Sequence, residues 1–337
     1  MPSSLSAGKQ RGLAAIADSR GIIAALAIDQ RSALRGLFAR AMGVEAADVP
    51  PENLSQFKEA VSSLLTPHAS AILLDPEYGL PAAGKRAPGV GLLLAYEETG
   101  YDKGVPGRLP RLLDQWSVKR LVDAGANAIK LLLYYSSRSS EEINGFKYAF
   151  VEKVGAECAA SDVPFFLELV SYADGMDEKS IDFGRIKHEV VAAGMKEFSK
   201  PQYCVDALKV GMPVNLSFVE GSPSPGGEIL HTREQAKQHF LRAAALALIP
   251  FIYLSEGVSN PTFQFGLELA AEAGVRFSGV LCGRATWKDG VEIFVNRGPH
   301  ALQDWLELEG VRNIKNVNKW LGSATPWFAA GGVACPR

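Results

Sequence analysis

Six polar side chains stand at the ends of short apolar runs, and their types suit chemistry at a carbonyl. Asp29 ends GIIAALAID, Lys130 interrupts NAIKLLLYY and Glu168 closes PFFLE. Lys209 sits in ALKVGMP, Ser255 ends PFIYLS and Arg284 follows GVLCG. A charge inside such a run is costly unless it is paired or working. A lone lysine there would read best as one half of an ion pair. Two lysines with a glutamate on the run between them suit Schiff-base formation. An amine attacks a carbonyl only in its neutral form, and burial or a neighbouring cation favours that form. Glu168 is placed to move protons or to neutralise Lys130, and the two roles are compatible. On spacing alone, either lysine can be the nucleophile.

The elements that must position these groups alternate. Eight candidate strands fall at 21–29, 69–75, 90–96, 128–135, 164–171, 206–211, 250–255 and 277–282, with helical periodicity between most of them. Alternation of this kind implies a parallel sheet covered on both faces, with ligands bound beyond the carboxyl ends of the strands. Eight repeats without a linker predict a single (β/α)8 TIM barrel with a C-terminal helical extension. One domain is expected over 1–337, with a barrel core at about 21–287 and helices at about 288–325. A doubly wound open sheet would want a nucleotide fingerprint, and neither GxGxxG nor GxxxxGK[ST] occurs.

In that frame the loops after the seventh and eighth strands often hold a phosphate. LSEGVS and LCGRATW fall there, offering Ser255, Gly257, Gly283 and Arg284. Glycines let backbone N–H groups approach an anion, and the guanidinium forks onto its oxygens. Asp29 and Gln30 face the same mouth, where they suit either substrate hydroxyls or a helix N-cap. Asp75 and Glu77 in LLDPEYG read as turn residues.

Composition excludes several other classes. The net charge of −2 gives no basic field for nucleic acid or anionic membrane, and neither partner is expected. No apolar stretch nears the ~20 residues of a membrane span, and MPSSLSAGKQRG lacks a signal-peptide core. The four cysteines have no metal-like spacing and read as free thiols of a cytoplasmic protein. His68, His188, His231, His239 and His300 fall on helices or loops rather than strand exits, so no catalytic metal is assigned.

LAIDQRSAL, ILLDPEYG, LLLAYEETGYD, AIKLLLYYS, FFLELVSY, ALKVGMPVN, YLSEGVSN and FSGVLCGRATW together resemble the tagatose-bisphosphate aldolases, class I enzymes of the (β/α)8 superfamily. The resemblance runs in order from about residue 21 to about residue 320. It implies that Lys209 forms the Schiff base and Glu168 is the acid–base. Lys130, Asp29 and Gln30 would contact substrate or hold the catalytic lysine. Ser255, Arg284 and the Leu281 backbone would bind the phosphate beside the ketone. It further implies a phosphorylated ketose substrate (D-tagatose 1,6-bisphosphate, with fructose 1,6-bisphosphate as a second), no cofactor and a homo-oligomer. For the distal phosphate Lys103, Arg108 and Arg31 are candidates. Alternatives are a 6-deoxy-6-sulfofructose-1-phosphate aldolase and a non-catalytic sugar-phosphate sensor. The chain departs from the pattern at Gly211, where the family has glutamate, at Glu256, where it has a small residue, and at Ser32, where glycine is common. A carboxylate beside a phosphate site would repel it, so Glu256 is expected to point away.

Overall fold

The computed structural model describes residues 5–99, 101 and 104–329. Its centre is a closed, all-parallel barrel of eight strands in sequence order. The strands are β1 (Ile23–Ala27), β2 (Ala71–Leu74), β3 (Gly91–Ala95), β4 (Ala128–Tyr135), β5 (Phe165–Ser171), β6 (Ala207–Val210), β7 (Phe251–Leu254) and β8 (Gly279–Cys282). Each falls within its predicted range. β1 pairs with β8, Ile23 opposite Gly279, so no edge remains open.

Both faces of the strands are buried, which is why they read as continuous apolar runs rather than alternating ones. Residues pointing outward, such as Leu26, Ile72, Leu94 and Leu131, pack under the surrounding helices. Inward-pointing Ile23, Ala25, Leu73, Phe166, Ile252 and Leu281 fill the lumen. Each large apolar side chain fully withdrawn from water contributes about 1.5–3 kcal/mol. The lumen is therefore a packed core, and any ligand must bind above it.

The sequence did not lead us to expect the N-terminal helix Ala7–Ile16. Its Leu13 and Ile16 join the lumen cluster from below and close the amino-terminal end of the barrel. Lys9 on this helix pairs with Asp206, just before β6, at 2.8 Å. The expected C-terminal helices are present: Gly290–Trp305, kinked at Gly298, a wide turn at Leu306–Gly310, and Val311–Lys319. Trp287 anchors the end of the barrel region by donating Nε1–H to the Ala27 carbonyl at 2.8 Å.

Cys158 and Cys282 are free and buried. Cys204 is disulfide-bonded, which corrects the expectation of free thiols at that position. Among the described residues, no helix is long and apolar enough to cross a membrane.

Candidate active site

Strand register brings the sequence-predicted charges together. Glu168 lies directly opposite Lys209 on one side and Leu132 on the other. Lys130 is two residues before Leu132, so its side chain rises on the same inward face. The Lys209 amine donates to Glu168 Oε2 at 2.7 Å. The same oxygen lies 2.8 Å from the Lys130 amine. One carboxylate oxygen therefore bridges both lysines.

Lys130 has two further partners, Asp29 Oδ2 at 2.8 Å and Glu97 Oε1 at 2.7 Å. An ammonium has three protons, and three carboxylates surround this one. Burial disfavours its charge, but Asp29, Glu168 and Glu97 outweigh burial and hold its pKa well above the ordinary lysine value. Burial likewise opposes ionisation of Asp29 and Glu168. Attraction to Lys130 and Lys209 overcomes it, so both carboxyls titrate below their usual range. All five groups are at least nine-tenths buried. The amine of Lys209 is the less encumbered, with Glu168 as its ion-pair partner among the described residues.

Glu97 is the member that sequence reasoning missed. It lies two residues beyond β3, in an acidic pair that reads as solvated loop. In the fold its carboxylate also accepts the Leu132 N–H at 3.0 Å. Its own carbonyl accepts Arg31, which bonds Glu77 at 2.7 Å. Asp29 does not cap a helix: the following helix, Ser32–Met42, starts three residues later without a side-chain cap. The N-cap reading is thus corrected, and what the carboxylate does instead is pair with Lys130 at the cavity wall. Gln30 donates to Asp29 Oδ1 at 3.0 Å. Beneath this segment, fully buried Lys58 pairs with Asp75 and donates to the Ile28 and Gln30 carbonyls at 2.8 and 3.0 Å. Asp75 also accepts the Tyr78 N–H, the turn role expected of it.

Above these groups opens a cavity of about 1020 Å³, walled by Asp29, Gln30, Lys130, Glu168, Ser255, Gly257 and Arg284 among others. Lys209 is only 2% exposed and is not itself among the residues that wall the cavity; it meets the cavity through Glu168, to which it donates. Ser255 follows β7 directly and is buried. At Gly257 φ is +80°, and a Cβ there would meet the Arg284 guanidinium carbon at 2.7 Å. Glycine is thus required both by the turn and by the arginine lying against it. Arg284 makes no ion pair among the described residues, leaving its fork free for an anion. Leu281 and Gly283 do not line the cavity: Leu281 packs in the lumen, and Gly283 sits against the Ala27 carbonyl near Gln30.

Gly211 and Glu256 are neighbours in space, and Glu256 lines the cavity. The Glu256 carboxylate pairs with Lys187 at 2.8 Å and accepts the Met212 N–H at 3.2 Å. Its Oε1 lies 2.3 Å from where a Cβ on residue 211 would be. The glutamate at 256 thus occupies the space that a side chain at 211 would need, and Lys187 neutralises it. Of the distal-phosphate candidates, Arg31 is committed to Glu77 and Glu97, Arg108 pairs with Glu178, and Lys103 lies outside the described residues.

A closed (β/α)8 barrel with a charged cavity at the carboxyl ends of its strands defines an enzyme architecture. The chain belongs to the DeoC/LacD family of aldolases, whose family model matches residues 23–289, and it is therefore a lyase. Among curated relatives it is 52% identical to tagatose 1,6-diphosphate aldolase 2 of Enterococcus faecalis, covering 96% of this chain and 97% of the relative. It is 48% identical to the tagatose 1,6-diphosphate aldolase of Staphylococcus aureus, over 93% and 95% of the two chains. The corresponding enzyme of Listeria monocytogenes is 46% identical over 96% and 95%. Among solved structures, a Schiff-base-forming fructose-1,6-bisphosphate aldolase shares the fold, with a TM-score of 0.54 at 16% identity over 91% of this chain and 97% of that one.

Proposed function

We propose that the protein cleaves a ketohexose 1,6-bisphosphate, D-tagatose 1,6-bisphosphate first among them, by a lysine Schiff-base mechanism. The observation that carries this reading is the single Glu168 oxygen shared between Lys209 and Lys130. Lys130 is locked as an ammonium by three carboxylates, so Lys209 is the amine able to give up a proton and attack. Glu168, held ionised, accepts that proton at 2.7 Å. Attack on the substrate ketone and loss of water give an iminium ion, which serves as the electron sink.

Glu168 returns its proton to the carbinolamine hydroxyl, which leaves as that water, and the regenerated carboxylate then takes the proton of the hydroxyl across the scissile bond. The carbon–carbon bond breaks, glyceraldehyde 3-phosphate leaves, and the electron pair remains on Lys209 as an enamine. Reprotonation and hydrolysis release dihydroxyacetone phosphate and the free amine. The phosphate beside the ketone would bind between Ser255, Gly257 and Arg284, with the Leu281 backbone and Gly283 behind them. Asp29 and Gln30 would meet substrate hydroxyls. The names of the curated relatives support the substrate class.

The test is borohydride reduction in the presence of dihydroxyacetone phosphate, followed by peptide mass spectrometry. An adduct on Lys209 is the expected result. An adduct on Lys130 would reverse the two lysines, and no adduct on folded protein would overturn the mechanism.

A further inference from the structure

Outside the cavity, three imidazoles converge on the outer wall of the barrel. His188 lies on the helix Ile181–Phe198, His239 on the helix Arg233–Ala244, and His231 just before the latter. One ring nitrogen from each lies within 4.8 Å of the other two. The rings of His188 and His239 are 4.0 Å apart, and those of His231 and His239 are 4.8 Å apart. His188 Nδ1, His231 Nε2 and His239 Nδ1 are all buried without a hydrogen-bond partner among the described residues. Unmet polar atoms of this kind are costly singly, and three at one point call for a shared ligand.

We infer that His188, His231 and His239 form a site for a divalent transition-metal ion of the Zn²⁺ class. Three imidazoles without a carboxylate suit zinc, copper or nickel and not magnesium or calcium. Tetrahedral zinc with bonds of about 2.0–2.1 Å wants its nitrogens ~3.4 Å apart. Closing the cluster therefore takes ~1 Å of ring movement, open to His188 and His239, which are only partly buried. The remaining nitrogen of His231 donates to the Gly184 backbone, as metal-bound histidines commonly do, and this turns the free lone pair toward the cluster. The cluster borders a surface cleft, where Glu189 and Arg242 are the charged neighbours, of opposite sign.

The site would act on the fold rather than on the chemistry. The His231 N–H is bonded to the Phe218 carbonyl at 3.1 Å, and the loop between β6 and the helix Arg233–Ala244 supplies Asn215, Ser217 and Ser224 to the cavity wall. An ion at the three histidines would staple that loop and its helix to the helix Ile181–Phe198.

The experiment titrates untagged, chelator-stripped full-length protein with ZnCl2, reading bound zinc by elemental analysis and thermal unfolding by circular dichroism. Wild type is expected to retain one equivalent and to melt several degrees higher with zinc. His188→Gln and His239→Gln are each expected to bind at least about tenfold more weakly and to lose the shift. Their zinc-free melting curves report whether they fold. Failure of folded wild type to take up one equivalent would overturn the site, as would unchanged uptake by both variants.

Discussion

The two ends of this barrel each bury a lysine–carboxylate contact, and they use it oppositely. At the amino-terminal end one lysine meets one aspartate: Lys9 and Asp206 pair at 2.8 Å, and Asp206 also accepts the Phe165 N–H. The N-terminal helix covers that end, and the pair lies outside the cavity. At the carboxyl end Lys130 and Lys209 share Glu168, Asp29 and Glu97 crowd the first lysine, and the cavity lies directly above. Burial prevails below, where it pushes the Asp206 carboxyl above its usual range despite Lys9. Attraction prevails above, where two ammonium groups hold Glu168 and Asp29 below theirs. A one-to-one pair away from the cavity suits structure; a shared one beneath the cavity suits the proton transfers of the proposed mechanism.

Replacing one carboxylate by its amide at each end tests this contrast most severely. Glu168→Gln should lower cleavage of tagatose 1,6-bisphosphate by roughly 10²–10⁴-fold, the scale of a lost acid–base group. Asp206→Asn should leave kcat/KM unchanged below its melting temperature while costing about 3–5 kcal/mol of stability, because it strands a buried lysine. Equal effects of both on turnover would collapse the distinction between the ends.

A smaller effect is expected at the rim of the open end. Gly211→Ala places a Cβ 2.3 Å from Glu256 Oε1 and must displace that carboxylate from Lys187. A loss of about 1 kcal/mol is expected in chemical denaturation. Adding Glu256→Ala should recover it, so the double-mutant cycle shows a coupling of at least about 0.5 kcal/mol. Additive effects would mean that the two positions are independent.

The smallest effect is the pH dependence of stability. Asp29 has a folded pKa below its unfolded value of about 3.9, so its contribution is complete above that value and is lost as pH falls toward the folded one. Asp206 has a raised folded pKa, so its contribution is complete below about 3.9 and is lost as pH rises through the folded value. In melting experiments from pH 5 down to pH 2, the gap between wild type and Asp29→Asn should narrow. The gap for Asp206→Asn should not.

The strands were legible because each is an unbroken apolar run, and the charges at their exits stood out against that background. Register then decided what spacing could not: Lys130 sits among three carboxylates and Lys209 beside one. Glu97 was hidden because a loop glutamate beside Glu98 carries no sign of burial until the chain turns back over β4. The N-terminal helix was hidden because AGKQRGLAAI has few large apolar residues and shows no amphipathic stripe. The histidine cluster was equally invisible. Positions 188, 231 and 239 share no spacing, and only the packing of two neighbouring helices makes them adjacent.

The pairing of Ile23 with Gly279 also sets the order of events when the chain is made. The ring cannot close on a nascent chain that still lacks β8. Until then β1 presents an unpaired edge, and Leu13 and Ile16 have no finished lumen to enter. Contacts so distant in sequence slow folding, because the loss of chain entropy precedes the gain from pairing. The C-terminal segment adds a last latch, with Trp327 donating its N–H to the Gly21 carbonyl at 3.0 Å, immediately before the first strand. The joining of β8 to β1, more than any local helix, is the moment at which this molecule becomes one piece.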